Sequence, residues 1–530
     1  MMRKNALPAN AAPPLPFSAA AAAAAAGYYS LLVPLLLLGG WWLASSHGWM
    51  SAQILPSPAV VFDSARAFIP EELIHELPIS LWRLALGLAG GICTGLALGA
   101  LFGLSPFANR LLMPIFTVLV QIPTLAWIPL LMLALGIGEA LKLTILIKSV
   151  AVPVALYTCI GIQQTPQKLY EAARSLRLPP LAFVRRLILP AMLPYLMTGV
   201  RLAFSQGWVA LIAVELLASS EGLGYLLVQS RQLFMLDLVF VCIFVIGAFG
   251  FLGEKGLLWL TRRWVHWPAQ VISPDNLRTP AAGFSLTGWV VPLLLAALWQ
   301  FAAAHGLLAS AFLPAPAAVG RTLFDGLFNG MLAGDLAASL FRMLQGFALG
   351  SAAGMLAGGL LGSWPMADRL FSPLLSALRS VAVFAWLPLL TAWFGLGEMA
   401  KIVFIALATF FPVLLATHQG IAQLPPMLQE VSRILQLTPG QRLRKLVLPG
   451  MLPALFSGLR LGLMHAWVGT IGAEYFISSG DGLGSMMMRA QQLLAADRIL
   501  AGVALIALVA ALSAKAIALA ERRLTAWRFH

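Results

Sequence analysis

Ala126-Trp127-Ile128-Pro129-Leu130-Leu131 returns as Ala385-Trp386-Leu387-Pro388-Leu389-Leu390, displaced by 259 residues (386 − 127). The same displacement carries Gly136-Ile137-Gly138-Glu139 to Gly395-Leu396-Gly397-Glu398, Lys142 to Lys401 and Pro153 to Pro412. It also carries Gly199 to Gly458, Arg201 to Arg460, Trp208 to Trp467 and Glu215 to Glu474. One insertion after Glu474 raises the displacement to 260 (482 − 222), which takes Gly222-Leu223-Gly224 to Gly482-Leu483-Gly484 and Asp237 to Asp497. A chain that repeats itself over this length is two copies of one unit, so the unit has to be read before any single residue.

Composition says what kind of unit it is. The 530 residues are 60% hydrophobic and 10% charged, with a mean hydropathy of +0.88. These values exclude an ordinary soluble globule. Many apolar runs reach the ~20 residues that a spanning helix needs. In the first half they fall near 29–46, 79–104, 108–134, 140–163, 192–217 and 236–261. In the second they fall near 286–307, 338–363, 368–394, 399–421, 451–476 and 498–520. The fold expected is all-α and polytopic, with about 12 transmembrane helices in a lipid bilayer. An even number per half makes the two six-helix repeats parallel. Residues 1–27 read as a disordered tail, 28–264 as the first unit, 265–284 as a linker and 285–530 as the second unit. An uncleaved first helix fits Leu31 to Leu43 better than a signal peptide does.

Loop charge orients the chain. The net charge is +14, and the basic residues gather in loops rather than on a soluble face, so no nucleic-acid partner is expected. Lys168, Arg174, Arg177, Arg185 and Arg186 lie between the fourth and fifth spans, Arg262, Arg263 and Arg278 between the halves, and Arg522, Arg523 and Arg528 at the end. All three groups fall on the cytoplasmic side if both termini do. Residues 47–78 then lie outside, with Asp63, Glu71, Glu72 and Glu76. Cys93, Cys159 and Cys242 sit in apolar runs and read as buried thiols, with no metal spacing among them.

The basic island of each half has an internal pattern. Glu171-Ala172-Ala173-Arg174 is followed by Leu189-Pro190, and Glu430-Val431-Ser432-Arg433 by Leu448-Pro449, with equal intervals (190 − 171 = 19 and 449 − 430 = 19). Leu169, Ala172, Ala173 and Leu176 recur at helical spacing, as do Leu428, Val431 and Leu435, so each island carries a short amphipathic helix. Such a helix suits a partner's groove. Glu171 reads as opening its helix, where the helix dipole favours a carboxylate. The pattern resembles the EAA loop of the permeases of binding-protein-dependent ABC importers. The glycine of that loop is replaced by Arg177 in one copy and Gln436 in the other, which puts the turn after each helix in question. Leu55-Pro56-Ser57-Pro58, repeated as Leu313-Pro314-Ala315-Pro316, and the Trp127 and Gly222 motifs resemble the nitrate/sulfonate/taurine class.

The resemblance implies a permease in a bacterial cytoplasmic membrane. It implies two copies of a separate cytoplasmic ATPase docked on the two loops, a soluble substrate-binding protein outside, and a small solute, often an anion. Relatives with similar motifs carry pyrimidine-like thiamine precursors. The competing class is an ion-coupled secondary transporter with two parallel six-helix halves, which calls for carboxylates well inside the spans. Glu139, Glu215, Glu398 and Glu474 lie near helix ends instead.

No Gly-x-x-x-x-Gly-Lys-Ser/Thr occurs, so no cofactor is expected on this chain and ATP belongs to the partner. Neither a nucleophile elbow nor a Cys/His metal set is present, so the chain reads as a pore subunit rather than an enzyme. Gly222-Leu223-Gly224 and its copy read either as a tight turn or as part of an outer gate. Arg201 and Arg460 read as snorkelling groups. Lys148 and Arg379 are deeper, and their repeat positions hold Leu407 and Val120. Arg379 lies eleven residues (379 − 368) beyond Asp368, roughly 16 Å along a straight helix. It reads either as a structural hydrogen-bonding group or as a fork for a passing oxyanion, with Lys148 supplementing it. Gln206 and His465, equivalent in the two halves, read either as interhelical hydrogen-bonding groups or as path lining.

Overall fold

The computed structural model describes residues 32–51, 53–265, 267, 286–307, 312–477 and 479–524. Among these residues there is no strand. The first half runs α1 (Leu32–Ser46), α2 (Pro58–Phe68), α3 (Ile74–Leu104), α4 (Pro106–Gln121), α5 (Ile128–Leu135) and α6 (Glu139–Gln163). It continues with α7 (Gln167–Ser175), α8 (Pro180–Phe183), α9 (Leu189–Ala218), α10 (Leu223–Gln232) and α11 (Leu236–Trp264). The second half repeats the series. It runs α12 (Leu286–Ala304), α13 (Pro316–Phe328), α14 (Met331–Ser363), α15 (Pro365–Ser380), α16 (Leu387–Phe394) and α17 (Glu398–Ala422). Then come α18 (Pro426–Ile434), α19 (Pro439–Arg442), α20 (Leu448–Phe476), α21 (Leu483–Gln492) and α22 (Ala496–Leu524). The chain is therefore an all-α polytopic membrane protein built of two parallel repeats.

Among the described residues eight helices are long and apolar enough to cross a bilayer, and α1 and residues 290–304 of α12 are shorter apolar helices. The third span of each half departs from the expected straight helix. Residues 106–121 and 124–135 meet at 90°, and residues 365–380 and 383–394 at 91°. Counting each bent pair as one span gives ten. At the first bend Ile122 is extended (φ −75°, ψ 114°), as a residue before proline prefers, and Pro123 has no N–H to continue the ladder. At the second bend Ala382 stands in place of proline, and Val381 takes nearly the same angles (φ −69°, ψ 124°). A further departure is that residues 58–78, read as loop, are helical through α2, one π-turn (Ile69–Leu73) and the start of α3. The expected tail and most of the linker fall outside the described residues. Cys159 and Cys242 are buried as expected, but Cys93 is exposed on the surface of α3.

Two helix pairs are the backbone of each half: α3 on α6 and α6 on α9, repeated as α14 on α17 and α17 on α20. Their closeness has a sequence cause. Gly87, Gly91, Gly95, Gly99 and Gly103 form one stripe on α3, and Gly346, Gly350, Gly354, Gly358 and Gly362 the same stripe on α14. Spacing by four keeps all five on one helix face. A Cβ on Gly95 would lie 2.7 Å from Cβ of Val154 and 2.8 Å from the carbonyl oxygen of Ala151. A Cβ on Gly354 would lie 2.8 Å from the carbonyl oxygen of Phe410. Where lipid is as apolar as leucine, such backbone contact drives helix association.

The halves meet crosswise. Helix α11 of the first half packs on α15, and α22 of the second on α4 and α5. The turns at the two bends, Thr124–Trp127 and Val383–Trp386, lie in this seam, the first against α20 and α22, the second against α9 and α11. One end of the bundle carries α7–α8 and α18–α19 and is called the elbow end; the other carries the Gly-Leu-Gly turns. Gly95→Leu should reduce the thermal stability of detergent-purified protein by more than the ~1–3 kcal/mol usual for overpacking, because backbone bars the relaxation. Gly359→Ala, whose Cβ would meet nothing within 4 Å, should leave the melting temperature unchanged, as differential scanning fluorimetry will show.

Candidate functional sites: buried ion pairs, elbows and seam cations

At the turn end each half buries an arginine between two carboxylates. The Arg83 side chain is 3% exposed and that of Glu215 is 0% exposed. Arg83 Nη1 donates to Glu215 Oε1 at 3.0 Å, and its Nε and Nη2 donate to Glu139 at 2.9 and 2.6 Å. Lys142 Nζ donates to the same Glu139 at 2.8 Å. Two cations thus meet three carboxylates, since Glu221 also lies 3.6 Å from Arg83 Nη2; Glu139 and Glu221 stay more than half exposed, and only Arg83, Lys142 and Glu215 are buried. Burying the Arg83–Glu215 pair is tolerable only with its donors and acceptors engaged. The second half repeats it: Arg342 pairs with Glu474 and Glu398, and Lys401 with Glu398.

These clusters fix the Gly-Leu-Gly turns. Glu215 Oε2 accepts from the Gly224 amide at 3.1 Å, and Ser80 Oγ accepts from the Leu223 amide at 2.9 Å while donating to Glu215 at 2.8 Å. In the copy, Glu474 accepts from the Gly484 amide at 2.7 Å and Ser339 from the Leu483 amide at 2.9 Å. Glycine is required at the first position of each turn. Gly222 has φ +102° and Gly482 φ +150°, and a Cβ on either would lie 2.6 Å from the carboxylate carbon of Glu215 or Glu474. The turn reading therefore holds, and the two carboxylates do more than mark helix ends. Arg83 and Arg342 escaped the sequence reading, although they too stand 259 apart (342 − 83) and interrupt apolar runs.

At the elbow end α7 and α18 are the expected short helices. Ala173 and Ser432 face inward, while Leu169, Leu176, Leu428, Val431, Ile434 and Leu435 are exposed. Ala172, Arg174, Leu189, Arg433 and Leu448 are exposed as well, and Pro190 and Pro449 are half-buried near the starts of α9 and α20. Glu171 and Glu430 are exposed but occupy the fifth position of their nine-residue helices. That lies beyond the first turn, so the dipole argument for Glu171 does not apply. Arg177 and Gln436 take φ +48° and +47°. The amides of Arg177 and Leu178 bond to the carbonyls of Arg174 and Ala173, and those of Gln436 and Leu437 to Arg433 and Ser432. These are left-handed helix stops of the kind glycine usually makes. The turn survives glycine's absence, at a cost of roughly 1–2 kcal/mol for a left-handed residue.

The four seam candidates separate. Arg379 is the penultimate residue of α15, just before the bend, and its side chain is 42% exposed. Its Nη2 donates to Glu254 of α11 at 2.7 Å, an ion pair joining the two halves. The expected deep burial of this guanidinium is corrected: Arg379 is partly exposed beside the bend, and its structural partner is a carboxylate rather than a helix carbonyl. Lys148 is half-buried, with Nζ 3.4 Å from both the Ile122 carbonyl oxygen and Thr124 Oγ1, and 5.4 Å from the centre of the Trp127 ring. Gln206 and His465 are exposed, and His465 Nδ1 bonds to its own helix at the Leu461 carbonyl, 2.8 Å away. The structure brings neither of these two to Lys148 or Arg379 by a hydrogen bond.

Known proteins resemble the chain half by half. A family model described as "Binding-protein-dependent transport system inner membrane component" matches twice, over residues 91–266 and 350–525. The taurine transport system permease protein of Escherichia coli (strain K12) is 32% identical over 228 residues, 42% of this chain and 83% of that protein. A putative aliphatic sulfonates transport permease protein of Bacillus subtilis (strain 168) is 35% identical over 243 residues, 46% of this chain and 88% of that protein. The nitrate import permease protein of a Synechocystis species is 31% identical over 216 residues, 39% of this chain and 78% of that protein.

The buried clusters make a prediction about stability. Arg83→Leu strands Glu215 without its countercharge and should destabilise the protein by about 3–5 kcal/mol. Adding Glu215→Gln should return part of that loss. Melting of the purified variants checks both, and a single variant as stable as the parent would remove the ion pair from the account of the fold.

Proposed function

The chain belongs to the binding-protein-dependent transport system inner membrane components and is the permease subunit of an ABC importer, and on that premise we propose that it carries a small anion of the nitrate, sulfonate or taurine kind. The observation that carries the mechanism is the pair of elbows. Two exposed helices, 259 residues apart (430 − 171), leave apolar stripes uncovered at one end of a membrane protein. Each stripe would enter a groove on one copy of a separate ATPase, with Glu171, Arg174, Glu430 and Arg433 on the polar side. Closure of the ATPase pair would then press on α9 and α20 through the elbows, since Leu189-Pro190 and Leu448-Pro449 start those helices. ATP is bound and hydrolysed on the partner, and this chain holds no cofactor.

In this reading the elbows and both termini lie in the bacterial cytoplasm, and the Gly-Leu-Gly end faces a soluble substrate-binding protein. Residues 28–264 and 285–530 act as the two permease units, joined by the linker 265–284 after the tail 1–27. Arg379, Lys148, Gln206 and His465 border the way between the halves. The ion-coupled alternative loses its main requirement, because Glu215 and Glu474 are held in pairs with Arg83 and Arg342. A carboxylate pinned to arginine is poorly placed to take up and release a coupling proton.

Two measurements test the proposal. Single cysteines at Gln167 and Gln423 should resist an impermeant thiol reagent in intact cells and react in inverted vesicles; labelling from outside overturns the orientation. Glu171→Lys should lower solute uptake and substrate-stimulated ATP hydrolysis at least tenfold at an unchanged membrane level, and Glu430→Lys should act in the same direction. Normal uptake by the double variant would take the elbows out of the mechanism.

A further inference from the structure

The seam is built from duplicated elements, yet one polar group of three does not repeat. Lys148, Thr124 and Ile122 meet at the first bend. Their repeat positions hold Leu407, Val383 and Val381. The ammonium and the hydroxyl are thus lost together in the second half, where an apolar pair fills the same place. Trp127 is retained as Trp386. A lysine needed only to hold the bend would be needed at both bends, and the second bend forms without one.

Lys148 is also poorly satisfied where it stands. It lies nine residues (148 − 139) into α6, roughly 14 Å along the axis and about half of a ~30 Å hydrocarbon core. Among the described residues it has no carboxylate partner, and its two hydrogen bonds are both 3.4 Å long. Its remaining contact is with the face of the Trp127 ring, whose centre is 5.4 Å away, and the indole N–H of that ring is buried and has no acceptor. Buried donors without acceptors are rare because each loses its water for nothing in return. One ammonium, one hydroxyl and one indole N–H are gathered in the seam between the halves, where the neighbouring Leu125 packs on Gly472 of the second half. All three can donate and one positive charge is present.

We propose that Lys148, Thr124 and Trp127 form a one-sided binding site for the head group of a monoanionic oxyanion, with no counterpart at the repeat positions Leu407 and Val383 of the second half. The inference rests on the anion-import reading and narrows it. One charge neutralises a nitrate, a bicarbonate or a sulfonate group. A dianion would keep one charge uncompensated in a medium where that is costly, and a cationic heterocycle would meet the lysine with like charge. A single site also keeps binding weak enough for release.

Uptake of nitrate, methanesulfonate and taurine is measured in cells expressing the chain with its ATPase and binding protein. If the parent imports none of them, the anion reading fails and the site falls with it. If the parent imports one, the variant Thr124→Val/Lys148→Leu, which copies the apolar pair of the second half and so suits the fold, should lower its maximal rate at least tenfold at an unchanged membrane level. Lys148→Arg should retain more activity than Lys148→Gln. Adding Val383→Thr/Leu407→Lys to the double variant, which moves the polar pair to the other half, should restore uptake. Parental uptake by the double variant overturns the site and leaves anion import standing. Loss of uptake or of protein without rescue by the transplanted pair also overturns it, by assigning Lys148 to local structure.

Discussion

Backbone contact between α3 and α6, and between α14 and α17, is the constraint on which the rest depends. Neither pair has the hydrophobic effect to hold it together inside a bilayer. The glycine stripes let one helix lie against the carbonyls of the next, and that contact fixes rotation as well as distance. With α3 fixed, Arg83 projects to where Glu139 and Glu215 converge, and Glu215 then holds the Gly222 turn. The order is steric first and electrostatic second. A small rotation of α3 would carry the arginine away from both carboxylates and leave Arg83 and Glu215 as buried, unpaired charges.

Duplication separates what the frame requires from what it does not. The glycine stripes, the arginine clusters, the Gly-Leu-Gly turns, the bends and the elbows occur in both halves. The Arg379–Glu254 pair and the Lys148 group occur once. Features of the first kind are explained by packing and by the need to satisfy buried polar groups. Features of the second kind need another explanation, since the other half folds without them. In a chain that carries both of its units, the two copies of a seam position can hold different residues, as Lys148 and Leu407 do, and a polar group can stand on one wall alone.

The elbows show how a local rule can be broken without losing the structure. Arg177 and Gln436 hold left-handed angles that glycine would take at no steric cost, and both turns close with the same pair of backbone hydrogen bonds. The strain is small beside the packing of α9 and α20 that the turns feed into. What remains exposed at each elbow is an apolar helix face about two turns long, too short to fold by itself and uncovered by this chain.

The sequence by itself determined the repeat, most of the spans, their parallel arrangement and the two elbow helices, because each is written in local hydropathy, spacing or self-similarity. The glycine stripes were equally legible, at intervals of four in an apolar run. Tertiary structure alone decided the bend at Ile122, the pairing of Arg83 with Glu215 and the pairing of Arg379 with Glu254. The paired residues lie 132 and 125 positions apart, and no periodicity links them. Whether a charge within a span is paired or free depends on how far each helix is rotated about its axis. That rotation is set by close packing between distant segments, which the order of residues along one helix does not record.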